Sequence, residues 1–377
     1  MRTRLLIPIV ALAGCLMGIT ANGAPAGSAA PRIEVCFVLD TTGSMGGLIE
    51  GAKLKIWSIA NEMVSAKPTP QLKIALLGYR DRGDEYIVRR HDLSEDIDTV
   101  YANLQKFQAG GGGDTPESVN QALDEAVNKI TWSTDRSVLK IIFLVGDSPP
   151  HMDYEDDVKY QATCARAVKK DLLINAVQCG ANSDTTRIWQ DIANLAEGKS
   201  VTISQSGDMQ VINTPMDREL SILNVAVGRT LTPYGAMLAQ KAVLAKQTAS
   251  EVAAAPAVAD RLAYNTLTGN VVQGGGDLVD DLKVNKIDLA QVKKDELPPE
   301  MQNMTLEQKQ SYLKTRAEER EKLQARISEL VKQRQMYILE QMRQQAGKGG
   351  FDEQVRAIVT EQAKAKGIQY TAGGNKK

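Results

Sequence analysis

The sequence has no excess of charge of either sign: 45 lysines and arginines stand against 46 aspartates and glutamates, a formal net charge of -1. Without a basic surplus the whole chain has no pull toward nucleic acid or an anionic membrane surface. Aromatic residues make up 5%, which argues against a surface on which bases stack. Familiar catalytic signatures are missing as well. Gly43-Ser44-Met45-Gly46-Gly47 lacks the lysine of a phosphate-binding loop, and neither a Gly-x-Ser-x-Gly elbow nor His-Glu-x-x-His occurs.

Cysteine is sparse too, with four residues, of which Cys36, Cys164 and Cys179 would survive removal of a leader. An odd number leaves at least one thiol unpaired within the chain. Cys36 reads as a small buried hydrophobe, and Cys164 with Cys179 as a pair that a mid-helix and a strand-end position hold far apart for a bridge. No apolar run is long enough for a confident membrane span. The run from Leu5 to Met17, behind Arg2 and Arg4 and ahead of small residues, reads as a signal peptide over residues 1–30. Leu12-Ala13-Gly14-Cys15 resembles a bacterial lipobox, which would lipidate Cys15. Leu16, Met17 and Ile19 continue the apolar run past it, and Ala24-Pro25-Ala26 offers ordinary cleavage. The expectation is an exported protein, periplasmic or extracellular, released by cleavage or held by a lipid at Cys15.

What the chain does have is the alternation of apolar strands and amphipathic helices. Ile33 to Leu39 is a nearly continuous apolar run, as in a strand buried on both faces. Gly46 to Ala66 reads as a helix, Leu72 to Tyr79 as a strand, Tyr86 to Arg90 as a polar edge strand, and Ile97 to Phe107 as a helix. A Gly-rich loop, Ala109 to Glu117, leads to a helix with Thr115 as N-cap and Pro116 at its first position. Val138 to Val145, Leu172 to Gln178 and Ser200 to Ile203 complete the strands, separated by helices near 158–169 and 185–195. The order predicts an α/β fold: a doubly wound, mostly parallel sheet with one antiparallel edge strand over residues 31–208. An Ala/Gly-rich helical and linker region, 209–304, follows. Thr305 with Gln308 then forms a capping box that opens a long charged helix in 305–377. Arg320, Arg334 and Gln341 fall where a seven-residue repeat wants apolar side chains, so a single amphipathic helix docked on its own domain is favoured over a coiled coil.

Ligands of open α/β sheets bind outside the carboxyl ends of the strands. Asp40, Thr42 and Ser44 follow the first strand, Thr115 sits in the Gly-rich loop, and Asp147 leaves the strand that ends at Val145. Two carboxylates and three hydroxyls suit a hard cation such as Mg2+, and lack the nitrogen and sulfur that favour zinc. Asp114, Ser148 and His151 flank them, as rim or supporting residues. Each acid alone could be a helix cap or turn former; three loops of one crevice carrying such residues in this order favour a joint site.

Asp40-x-Thr42-x-Ser44, Gly-Gly-Asp114-Thr115-Pro116-Glu117 and Gly146-Asp147-Ser148-Pro149-Pro150-His151 resemble the metal-ion-dependent adhesion site, or MIDAS, of von Willebrand factor type A domains, in the wording of secreted bacterial members. The likeness spans about Arg32 to Asp208. It implies that Thr42 and Ser44 coordinate the cation, that Thr115 joins on ligand engagement, and that Asp40 and Asp147 supply charge. Threonine at 42, where serine is commoner, keeps the hydroxyl. The resemblance further implies a non-enzymatic protein-binding module. In it Mg2+, or Mn2+ or Ca2+ in its place, is completed by an Asp or Glu of a partner protein. Two alternatives remain at this point: a metal-dependent hydrolase or phosphotransfer enzyme using Asp40 and Asp147, and an envelope scaffold acting through the helical tail. For the leader, intact-mass measurement of the exported protein is expected to give an N-terminus beyond Met1 or a lipidated Cys15; a mature chain still beginning at Met1 overturns export.

Overall fold

The computed structural model describes residues 30–113, 115–344 and 349–370, and the chain divides between Ala30 and Pro31. The expected signal peptide, Cys15 and Asp114 lie outside the described residues. Six strands form one sheet: β1 Arg32–Asp40, β2 Gln71–Tyr79, β3 Val88–Ser94, β4 Leu139–Gly146, β5 Leu173–Cys179 and β6 Ser200–Ile203. Their spatial order is β3-β2-β1-β4-β5-β6, parallel throughout except for β3. β1 and β4 are buried along almost their whole length, as their uninterrupted apolar sequences require. The polar β3 occupies an edge, where half-exposed arginines and histidine are tolerated. It begins two residues later than its sequence suggests, because Arg80 N donates to Ile87 O at 3.0 Å and holds Tyr86 and Ile87 in the connection.

Successive side chains of a strand point to opposite faces. Ile33, Val35, Phe37 and Leu39 therefore enter one core layer with α1 (Gly46–Val64) and α2 (Ile97–Leu104). Cys36 and Val38 enter the other, with α3 (Val119–Asn128), α4 (Tyr160–Lys169) and α5 (Ser183–Leu195). The same division decides the Cys164–Cys179 question against a bridge. Cys164 lies in the second layer and Cys179 in the first, so the sheet separates them, and both are free and buried, as is Cys36.

The helix after the Gly-rich loop also starts differently. Its N-cap is Ser118, not Thr115. Glu117 N donates to Pro149 O at 2.9 Å and Glu117 O accepts from His151 N at 3.0 Å, so a bridge to the turn after β4 keeps Glu117 extended and delays the helix.

Beyond β6 come α6 (Asp217–Gly228), α7 (Met237–Glu251), α8 (Ala255–Thr268), α9 (Leu278–Lys283), α10 (Leu306–Gln344) and α11 (Phe351–Ala363). The capping box forms: Thr305 N donates to Gln308 Oε1 at 2.8 Å, and Gln308 N to Thr305 Oγ1 at 3.2 Å. α10 docks as a single helix on α6, α8 and α9. Arg320 reaches inward to Asp277 at 2.5 Å, Asp280 at 2.6 Å and Thr230, and Arg334 to Asp217 at 2.8 Å and Asp260 at 2.6 Å. Arg261 of α8 grips Asp98 of α2 with two hydrogen bonds, at 2.7 and 3.0 Å. α11 then returns to the sheet. Phe351 packs edge-on to Phe37 with centroids 6.1 Å apart, and Gln362 exchanges hydrogen bonds with Asn175 of β5. The described residues from Pro31 on belong to one compact unit. Among the described residues no helix is long and apolar enough to cross a membrane.

Removing one partner of a buried ion pair leaves an uncompensated charge. Arg320→Ala should therefore cost about 3–5 kcal/mol, read by urea unfolding of the full chain; a loss under about 1 kcal/mol, the range of an exposed pair, would contradict the inward role of Arg320.

Candidate metal centre

β1 and β4 are neighbours at the point where the strand order reverses, with Leu39 opposite Val145. That is the place where a doubly wound sheet opens a crevice at its carboxyl edge. Asp40 ends β1 there and Asp147 follows β4. Asp40 is fully buried, and its Oδ1 accepts from Thr42 N at 2.8 Å and from Thr42 Oγ1 at 2.6 Å. Because the Thr42 hydroxyl gives its hydrogen to Asp40, its lone pairs stay available. Ser44 Oγ lies 3.4 Å from Thr42 Oγ1. Asp40 Oδ2 is buried with no hydrogen-bond partner.

The other loops are tied to this turn. Gly43 N donates to Gly111 O and Gly110 N to Thr41 O, so the Gly-rich loop lies against residues 41–43. Arg80 clasps both, giving Nε to Thr41 O at 3.2 Å and Nη2 to Gln108 O at 2.8 Å. Gly112 has φ +71°, and a Cβ there would stand 2.9 Å from Thr42 Cβ, so only glycine permits this approach. Asp147 is held from three sides. Its Oδ1 accepts from Ser148 Oγ at 3.1 Å, its Oδ2 from Gln205 Nε2 at 2.7 Å, and its carbonyl from Thr185 Oγ1 at 3.0 Å.

Asp40, Thr42, Ser44 and Asp147 are thus brought to one spot, while Thr115 is exposed and its hydroxyl meets no hydrogen-bond partner among the described residues. Ser148 supports Asp147. His151 is not on a rim: it is buried, stacked on Tyr154 at 4.0 Å, with Nδ1 2.8 Å from Asp153 and Nε2 3.3 Å from Asp81. Sequence reasoning did not single out Glu117, Tyr79 or Gln205. Glu117 ends the quoted Gly-Gly-Asp-Thr-Pro-Glu stretch and was legible as an acid beside the site. Tyr79 and Gln205 arrive from other strands and carry no local signal.

The electrostatics are those of crowded acids. Burial, reinforced by Asp147 and opposed by the Thr42 hydrogen bonds, pushes Asp40 up to about 7. Burial and the charges of Asp40, Asp81, Asp84 and Asp147 push Glu117 up to about 9. Its Oε2 is likewise buried without a partner. Among the described residues no group of three or more His, Cys, Asp or Glu side chains is arranged to hold a metal. The fit of a cation rests instead on two carboxylates with neutral hydroxyls, an all-oxygen set with an orphaned buried oxygen at its centre. That chemistry fits a hard divalent cation.

Residues 34–214 match the family model of the von Willebrand factor A domain. Von Willebrand factor A domain-containing protein 7 of Rattus norvegicus is 34% identical to this chain over 97 residues, which are 26% of this chain and 10% of that protein. The Homo sapiens protein of the same name is 33% identical over the same length and shares of each chain. An ariadne-like RING finger protein, R811, of Acanthamoeba polyphaga mimivirus is 19% identical over 207 residues, 51% of this chain and 20% of its own. The chain spans between a tenth and a fifth of the length of these relatives. Among solved structures, proximal thread matrix protein 1 from the mussel byssus, with a zinc occupied MIDAS motif, is 16% identical; the alignment covers 47% of this chain and 42% of that one, with a TM-score of 0.36.

Gly146 leaves no room for a side chain beside the site. A Cβ there would stand 2.9 Å from Asp40 Cβ and 2.5 Å from Tyr79 Oη. Gly146→Ala should cost about 1–3 kcal/mol by overpacking, seen as a lower thermal midpoint of the full chain; an unchanged midpoint would show that the β1–β4 edge has room the structure does not.

Proposed function

We propose that this chain is a divalent-cation-dependent protein-binding module. In this reading Thr42 and Ser44 hold Mg2+, or Mn2+ or Ca2+ in its place, through hydroxyl oxygens, and Asp40 and Asp147 supply negative charge. Thr115 joins from the Gly-rich loop when ligand engages. Since the hydroxyls are neutral, the cation keeps enough positive character to accept one more anionic oxygen, an Asp or Glu carboxylate of a partner protein. The protein binds rather than turns over, takes no nucleic acid, and works outside the bacterial cytoplasm, free or lipid-anchored at Cys15.

The observation that carries the reading is the Asp40 carboxylate: wholly buried, with Oδ1 fixed by Thr42, Oδ2 without a partner, and the Asp147 charge beside it. The match of residues 34–214 to the von Willebrand factor A domain supports it.

Because α11 contributes Phe351 to the core, the full chain is the object to test. Calorimetry with MgCl2 should give saturable uptake by the wild type and none by Asp40→Ala. Mg2+ at a hundred times its Kd should stabilise the wild type by about 2.7 kcal/mol. Equal uptake by the two proteins sinks the cation assignment. Pull-down from envelope extract should then recover a partner in Mg2+ and lose it in EDTA and with Asp40→Ala; recovery indifferent to both removes the cation from the contact.

A further inference from the structure

Tyr79 ends β2 directly opposite Asp40 on β1. The position a Gly146 Cβ would take, one strand further on, is 2.5 Å from Tyr79 Oη and 3.0 Å from Asp40 Oδ2. The phenol therefore reaches across β1 to β4, and its hydroxyl and Asp40 Oδ2 both border the space that glycine leaves free at position 146. Tyr79 is completely buried, and its hydroxyl, like Asp40 Oδ2, has no hydrogen-bond partner. Two unpartnered buried polar atoms facing one spot are rare in a folded chain, where such groups are normally paired.

Each can satisfy the other. A phenol is a donor and an ionised carboxylate only an acceptor, so the polarity of the pair is fixed.

We propose that Tyr79 is a positioning residue of the cation site, whose hydroxyl donates to Asp40 Oδ2, directly or through one water. Thr42 holds Oδ1 and Tyr79 holds Oδ2, which fixes the plane of the carboxylate that the cation meets. The inference rests on the cation reading above.

Tyr79→Phe removes one oxygen and keeps the ring. In full-chain protein, calorimetry with MgCl2 is expected to show the Kd for Mg2+ raised about tenfold, the scale of a hydrogen bond to a charged group. The thermal midpoint in EDTA is expected to stay the same or rise, since phenylalanine buries no unsatisfied hydroxyl. A core-filling role for Tyr79 predicts the opposite pattern: Mg2+ affinity within twofold of wild type, or equal losses of midpoint in EDTA and in Mg2+, and either result overturns the proposal. Wild type that takes up no Mg2+ overturns the cation reading and this inference with it. Wild type and Tyr79→Phe that bind equally well overturn the inference alone.

Discussion

A carboxylate taken out of water must be paired, and this chain buries its acids under two regimes. Around the helical region five of them meet a guanidinium: Asp98 with Arg261, Asp277 and Asp280 with Arg320, Asp217 and Asp260 with Arg334. At the carboxyl edge of the sheet the acids have only hydroxyls, amides and one another. Asp40 leans on Thr42, Asp147 on Ser148 and Gln205, and Glu117 keeps an oxygen with no partner. Buried Arg80 directs its guanidinium to the backbone of residues 41 and 108 and to Glu85. The negative charge of the site is left open while the same chemistry elsewhere is closed.

Topology makes the concentration possible. Parallel β1 and β4 at the reversal of strand order bring two acids from distant sequence side by side without either loop having to reach. The Gly-rich loop is then drawn in by backbone hydrogen bonds to residues 41–43, and its far end is stitched to the turn after β4 at Glu117. Gln205, after β6, closes the circuit by touching both Asp147 Oδ2 and Ser44 O. Three loops become one surface.

Much of this was legible in the sequence because the signals were local. Continuous apolar runs named the strands, and the alternate spacing of Asp40, Thr42 and Ser44 named the turn. What escaped was carried by contacts across strands: Tyr79 meets Asp40 through pairing of β2 with β1, and no pattern in either stretch encodes it. The helix after the Gly-rich loop was expected at Thr115 from sound capping chemistry, yet a bridge to a loop some thirty residues later held the backbone extended. Arg320 and Arg334 taught the reverse lesson. As exceptions to a seven-residue repeat they spoke against a coiled coil; folded, they are the two inward anchors of α10, on one face two repeats apart.

The return of α11 to the sheet governs the order in which the molecule can be made. Phe37 on the first strand waits for Phe351, and Asn175 for Gln362. A chain emerging from its N-terminus has every strand in hand long before it has the helix that covers Ile33, Phe37 and their neighbours. Such non-local closure raises the contact order of the fold, which goes with slower folding. The core around Phe37 is therefore closed by residues more than three hundred positions away in the chain.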